Sequence, residues 1–102
     1  MSWALHAIEA LKNGQTIAIK PKGSSMEPKI SSGDNVTLVP CDPLTLTRGD
    51  IVLVRVNGND YLHLVKGLRK GQVLIGNNKG HLNGWTSINN VFGKVVNIER
   101  VN

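Results

Sequence analysis

With 102 residues, 40% of them hydrophobic and 19% charged, the chain can bury one small core, so residues 1–102 are expected to form a single domain. No run reaches the roughly 18 apolar residues of a membrane span, and residues 1–15 lack the charged and apolar regions of a secretory signal. No transmembrane anchor is therefore expected. A formal charge of +5 favours nucleic acid, anionic membrane or acidic peptide as partners. The Lys and Arg residues are scattered, however, with only Lys66, Arg69 and Lys70 grouped, and no stable nucleic-acid complex is expected. The lone Cys41 has no disulfide partner within the chain, which points to a cytoplasmic location.

In chain order, Ser2 is a candidate N-cap, Ala4, Ile8 and Leu11 recur at helical spacing, and Gly14 supplies a stop. This predicts a helix over 2–13. So short a helix is best used to cover one end of a core; docking a membrane or partner through Trp3 is the alternative. From Thr16 onward Val, Ile and Leu dominate the segments 16–21, 35–39, 50–56, 60–67, 72–76 and 90–100, which Gly, Pro, Asn and Asp separate. These read as strands. Asn57-Gly58 between two alternating runs marks a tight hairpin, because both residues tolerate positive φ. Residues 40–49, with two prolines, read as an excursion between strands. The expected fold is mainly β, of antiparallel sheets with a short N-terminal helix.

Two segments carry chemistry. Lys22-Gly-Ser-Ser-Met-Glu-Pro28 is a small-residue turn with serine at its tip, and Tyr61-Leu-His-Leu-Val65 sets His63 in a strand. A serine on a turn and an imidazole on a strand are the minimum for a nucleophile and its general base. A free imidazole titrates near pH 6.5, so its proton-accepting form is available at neutral pH. Alternation puts Tyr61, His63 and Val65 on one face of the strand and sends Lys66, the competing base, to the other.

Gly23-Ser-Ser-Met-Glu-Pro28, Ser32-Gly-Asp34, Gly49-Asp-Ile-Val-Leu-Val54 and Tyr61-Leu-His-Leu-Val65 together, in order and spacing, resemble the LexA and signal-peptidase superfamily of serine peptidases. The closest branch is the archaeal and endoplasmic-reticulum type of signal peptidase, which has Ser-Met-Glu-Pro at the nucleophile and a histidine base. The resemblance covers about residues 16–98. It implies Ser25 as nucleophile and His63 as base, with the Ser25 N–H as an oxyanion donor. Many relatives have a hydroxyl two residues before the nucleophile where this chain has Gly23; Ser24 is the expected substitute. Relatives also carry an acid that orients the imidazole, where this chain has Asn77. An amide there can hold the ring but cannot stabilise an imidazolium. Asn83 stands near the position of a second acid. Lys20, Pro21 and Met26 are the expected substrate-binding residues, with the peptide lying as an extended strand beside 16–20.

No metal-ligand spacing is present, since His6 and His81 lie far apart and there is one cysteine; no metal or cofactor is expected. Asp34 and Asp50 each follow glycine before a strand, where turn formation is the expected role. The expected function is hydrolysis of peptide bonds by a Ser25–His63 dyad on a protein or peptide substrate. Self-cleavage is not expected, as the chain has no Ala-Gly or Cys-Gly dipeptide. Two other classes stay open: a non-catalytic peptide-binding module on a degenerate peptidase fold, which Gly23 and Asn77 favour, and a basic interaction domain for nucleic acid or an acidic surface, which the charge favours and the absence of aromatic clustering opposes. The oligomeric state is open.

Overall fold

The computed structural model describes residues 3–101. The helix α1 spans Leu5–Lys12, and seven strands follow: β1 Ile17–Ile19, β2 Asn35–Val39, β3 Ile51–Val56, β4 Asn59–Arg69, β5 Gln72–Gly76, β6 Leu82–Ser87 and β7 Val91–Glu99. They form one sheet in the order β1-β2-β7-β3-β4-β5-β6, every pair antiparallel. The fold is therefore mainly β. No helix among the described residues is long and apolar enough to cross a membrane.

Strand alternation divides the core between the two faces of the sheet. On one side Leu53, Leu62 and Leu64 join Val36 and Leu38 beneath α1, whose Ala7, Ile8 and Leu11 are buried together with Ala4 just ahead of it. On the other, Val52, Val54 and Val56 meet Val65, Val73 and Ile75. The helix comes close to β7 because position 93 is glycine: a Cβ there would lie 2.7 Å from Leu11 Cδ1 and 2.9 Å from the Val39 carbonyl oxygen. The β3–β4 turn has Asn57 at φ 50° and Gly58 at φ 82°, the primed geometry that matches strand twist. The sheet also coils back on itself. Thr86 on β6 donates its hydroxyl to the Arg55 carbonyl on β3 at 2.9 Å.

The elements depart most from the sequence pattern in three places. The helix starts at Leu5, with Ala4 as an N-cap that makes no side-chain hydrogen bond; the expected cap, Ser2, lies outside the described residues. The first strand is Ile17–Ile19, shorter than 16–21, because Pro21 lacks the N–H that a ladder needs. The strand β6 has no counterpart in the pattern. Its sequence, Leu-Asn-Gly-Trp-Thr-Ser, has an Asn-Gly pair that weakens the β signal, and pairing with β5 supplies what the residues lack.

Candidate active site

The turn carrying Ser25 lies between β1 and β2. Gly23, at φ 105°, allows the reversal that lifts the two serines clear of the sheet. Beyond the serines the chain closes into turns, with Glu27 N–H donating to the Ser24 carbonyl at 3.2 Å and Ile30 N–H to the Met26 carbonyl at 3.1 Å. Two distant residues hold this segment. The Asn78 N–H donates to the Ser25 carbonyl at 2.9 Å, and the Asn78 side chain donates to the Glu27 carbonyl at 2.9 Å. From β7's far end the Arg100 guanidinium donates to the Pro28 and Lys29 carbonyls, to Ser31 Oγ and to Asp34 Oδ2. Asp34 also accepts from the Ser31 N–H at 2.9 Å, the turn-forming role its position suggests. Asp50 does the same for the Thr47 N–H at 2.9 Å.

Against this turn stands β4. His63 is 8% exposed and pairs across the ladder with Val52, so the strand itself fixes the ring's position. Its Nε2 is 3.2 Å from Ser25 Oγ, and its Nδ1 is 2.7 Å from Asn83 Oδ1. Since a carbonyl oxygen only accepts, Nδ1 carries the hydrogen, leaving Nε2 to accept the serine hydroxyl. Tyr61 lies on the same face, and its ring stacks on the imidazole. Burial holds the His63 pKa below its ordinary value; the Asn83 hydrogen bond opposes this, and the neighbouring His81 acts in the same direction as burial. The net effect favours the neutral, proton-accepting form of the ring.

The amide that meets His63 is that of Asn83, on β6, and not that of Asn77. Asn77 Oδ1 accepts from the Lys79 and His81 backbone N–H groups, so its oxygen is taken by the turn it initiates. That turn packs tightly on the sheet: a Cβ at Gly76 would lie 2.7 Å from the His81 carbonyl oxygen. Lys66 sits at the register shift between Val65 and Gly67 and is not among the residues lining the groove at Ser25. Trp85 is also away from it, under the Arg69 guanidinium at 4.0 Å from the ring centroid.

The groove at Ser25 and His63 has a volume of about 510 Å³. Lys20, Pro21 and Met26 line it, as do Gly23, Tyr61 and Leu62. Ser24 does not. It is exposed, with its carbonyl given to the turn. The Ser25 N–H makes no hydrogen bond among the described residues. Trp3 forms another wall, a placement that helical periodicity could not supply, since the indole precedes the helix. No group of His, Cys, Asp and Glu among the described residues could hold a metal ion.

No curated protein matches the chain. A family model described as Peptidase S24-like matches residues 3–96, a span that takes in the serine turn, the histidine strand and Asn83. The chain belongs to the Peptidase S24-like family.

Proposed function

We propose that the protein hydrolyses peptide bonds, with Ser25 as nucleophile, His63 as general base and Asn83 as the residue that orients the imidazole. The reading is carried by one observation, the unbroken run from Ser25 Oγ through Nε2 and Nδ1 of His63 to Asn83 Oδ1, at 3.2 and 2.7 Å. In the first step Ser25 Oγ bonds to the substrate carbonyl carbon while its proton passes to His63 Nε2. The oxyanion so formed is stabilised by the Ser25 N–H. Collapse breaks the C–N bond, and the imidazolium returns the proton to the leaving amine. Water then repeats the sequence on the acyl-serine, with His63 taking its proton, and releases the acid. The histidine base is the feature shared with the archaeal and endoplasmic-reticulum signal peptidases rather than with lysine-using relatives.

The substrate is a protein or peptide segment laid beside β1, whose outer edge has no partner strand among the described residues, and leading along Lys20 and Pro21 to the serine. A fluorophosphonate probe tests the chemistry. Wild-type protein becomes labelled, Ser25→Ala does not, and His63→Ala is labelled far more slowly. A second reading, a peptide-binding module without catalysis, is favoured by the neutral amide at Asn83 and the missing hydroxyl at Gly23. Absence of labelling in a folded protein that still binds peptide selects it.

A further inference from the structure

We infer that the groove is selective for extended peptides that place an apolar side chain against Trp3 and an acidic side chain opposite Lys20 and Lys22. For cleavage this rests on the peptidase reading; for binding it stands on the groove alone. Trp3 precedes the helix and is 56% exposed, yet it borders the same cavity as Ser25 and His63, and Met26, Ile30 and Leu62 continue that apolar wall. A large aromatic surface left half in water beside a concave apolar lining gains by being covered, and a peptide side chain in the groove covers it.

Charge selects the rest of the ligand. Lys20 and Lys22 flank Pro21 on the rim, and neither enters an ion pair among the described residues, which are Arg55–Asp60, Lys94–Asp50 and Arg100–Asp34. Among the described residues Asp60 is the groove's only carboxylate lining, and the Arg55 fork engages both its oxygens at 2.8 and 3.3 Å. The uncompensated charge facing a bound chain is therefore positive. A carboxylate on the peptide meets it, whereas a lysine there is repelled. Nucleic acid fits less well, because single-strand binding needs a succession of stacking surfaces and Tyr61 is already stacked on His63.

Binding is measured on Ser25→Ala by calorimetry, with end-blocked hexapeptides containing one Leu or Phe and one Asp or Glu. Each is compared with counterparts in which Lys replaces the acid or Ala the apolar residue. The acidic-apolar peptides are expected to bind more tightly than either counterpart, and Lys20→Gln and Lys22→Gln should each reduce their affinity about twofold to fivefold. In Ser25→Ala combined with Trp85→Phe, which leaves Trp3 as the only tryptophan, the same peptides should shift the emission. Equal affinity for acidic and lysine peptides, or unchanged emission on binding, overturns the proposal. So does binding of an oligothymidylate as tight as that of the best peptide. Selective binding without turnover by the wild-type protein would sink the hydrolytic reading and leave this one standing; turnover without charge preference does the reverse.

Discussion

Asn83 Oδ1 accepts the Nδ1–H of His63 at 2.7 Å across the sheet from the serine, occupying the position at which a Ser-His-Asp triad has its carboxylate. The amide fixes the ring and its tautomer but adds no charge. Replacing Asn83 by Asp should therefore raise kcat/KM, because a carboxylate stabilises the imidazolium formed during attack. The reverse change in a triad costs about 10⁴-fold, which bounds the gain; roughly tenfold to a hundredfold is expected here. Asn83→Leu should lower the rate. Asn77→Asp should leave it unchanged, since Asn77 Oδ1 serves the Lys79 and His81 amides. Peptide hydrolysis by the three variants, at matched folding, checks the assignment.

The pH profile follows from burial of His63. With its pKa below the ordinary value, the base loses its proton at a lower pH than a free imidazole, and the midpoint of the acid limb of kcat/KM should lie below about pH 6.5. Stability carries the same signature. As pH falls through 6.5 the unfolded chain takes up a proton at His63 before the native protein does, so stability is lost between the unfolded and the lower native pKa and is constant in this term beneath it. Denaturation midpoints of wild type and His63→Gln across that interval should converge as pH falls. Parallel curves would show that His63 titrates alike in both states.

Asn78 tests how far the serine turn depends on remote support. Asn78→Ala removes the side-chain bond to the Glu27 carbonyl while leaving the backbone bond to the Ser25 carbonyl. A cost of about 1 kcal/mol is expected, or a fall of about 4–8 °C in Tm for a chain of this size. The decrease in kcat should be larger than that loss of folding alone explains, with KM nearly unchanged, because the displaced group is the nucleophile. Thermal unfolding and steady-state kinetics on the same preparation separate the two effects.

Gly93 tests the seat of the helix. Gly93→Ala forces a Cβ against Leu11 and the Val39 carbonyl oxygen and should destabilise the protein by about 1–3 kcal/mol. Adding Leu11→Ala makes room on the helix side only. Calorimetric unfolding should show the double variant more stable than the sum of the single changes, because Leu11 makes the nearest contact; strictly additive costs would show that the Val39 carbonyl sets the clash.

The sheet was legible in the sequence wherever Val, Ile and Leu recur without interruption, as in β3, β4 and β7, and where Asn57-Gly58 fixes a turn. Period-two alternation also places Tyr61 and His63 on one face, where their rings stack. What the pattern could not reach was pairing that depends on the rest of the fold. In β6 the Asn83-Gly84 pair reads as a loop, and only its register with β5, Ile75 opposite Gly84, makes it a strand. Hence Asn83 was harder to place than Asn77: two asparagines near a turn are alike in sequence, and the one whose oxygen meets its own turn's amides is decided by local geometry. Trp3 was similarly ambiguous, because an aromatic residue ahead of a short helix can face the core, a partner or a cleft.

The bonds that shape the serine turn join residues far apart along the chain: Ser25 to His63 across 38 positions, Glu27 to Asn78 across 51, Pro28 to Arg100 across 72. Contacts of such separation form late, since each must offset the entropy of closing a long loop. The nucleophile is thus expected to be assembled with the longest-range pairing of the sheet, β2 against β7, and after the local hairpins β3–β4 and β4–β5. A chain with its sheet partly zipped has the serine but no aligned base. Labelling of Ser25 by a reactive phosphonate during refolding would accordingly act as a clock for that step, its signal lagging behind the appearance of β structure.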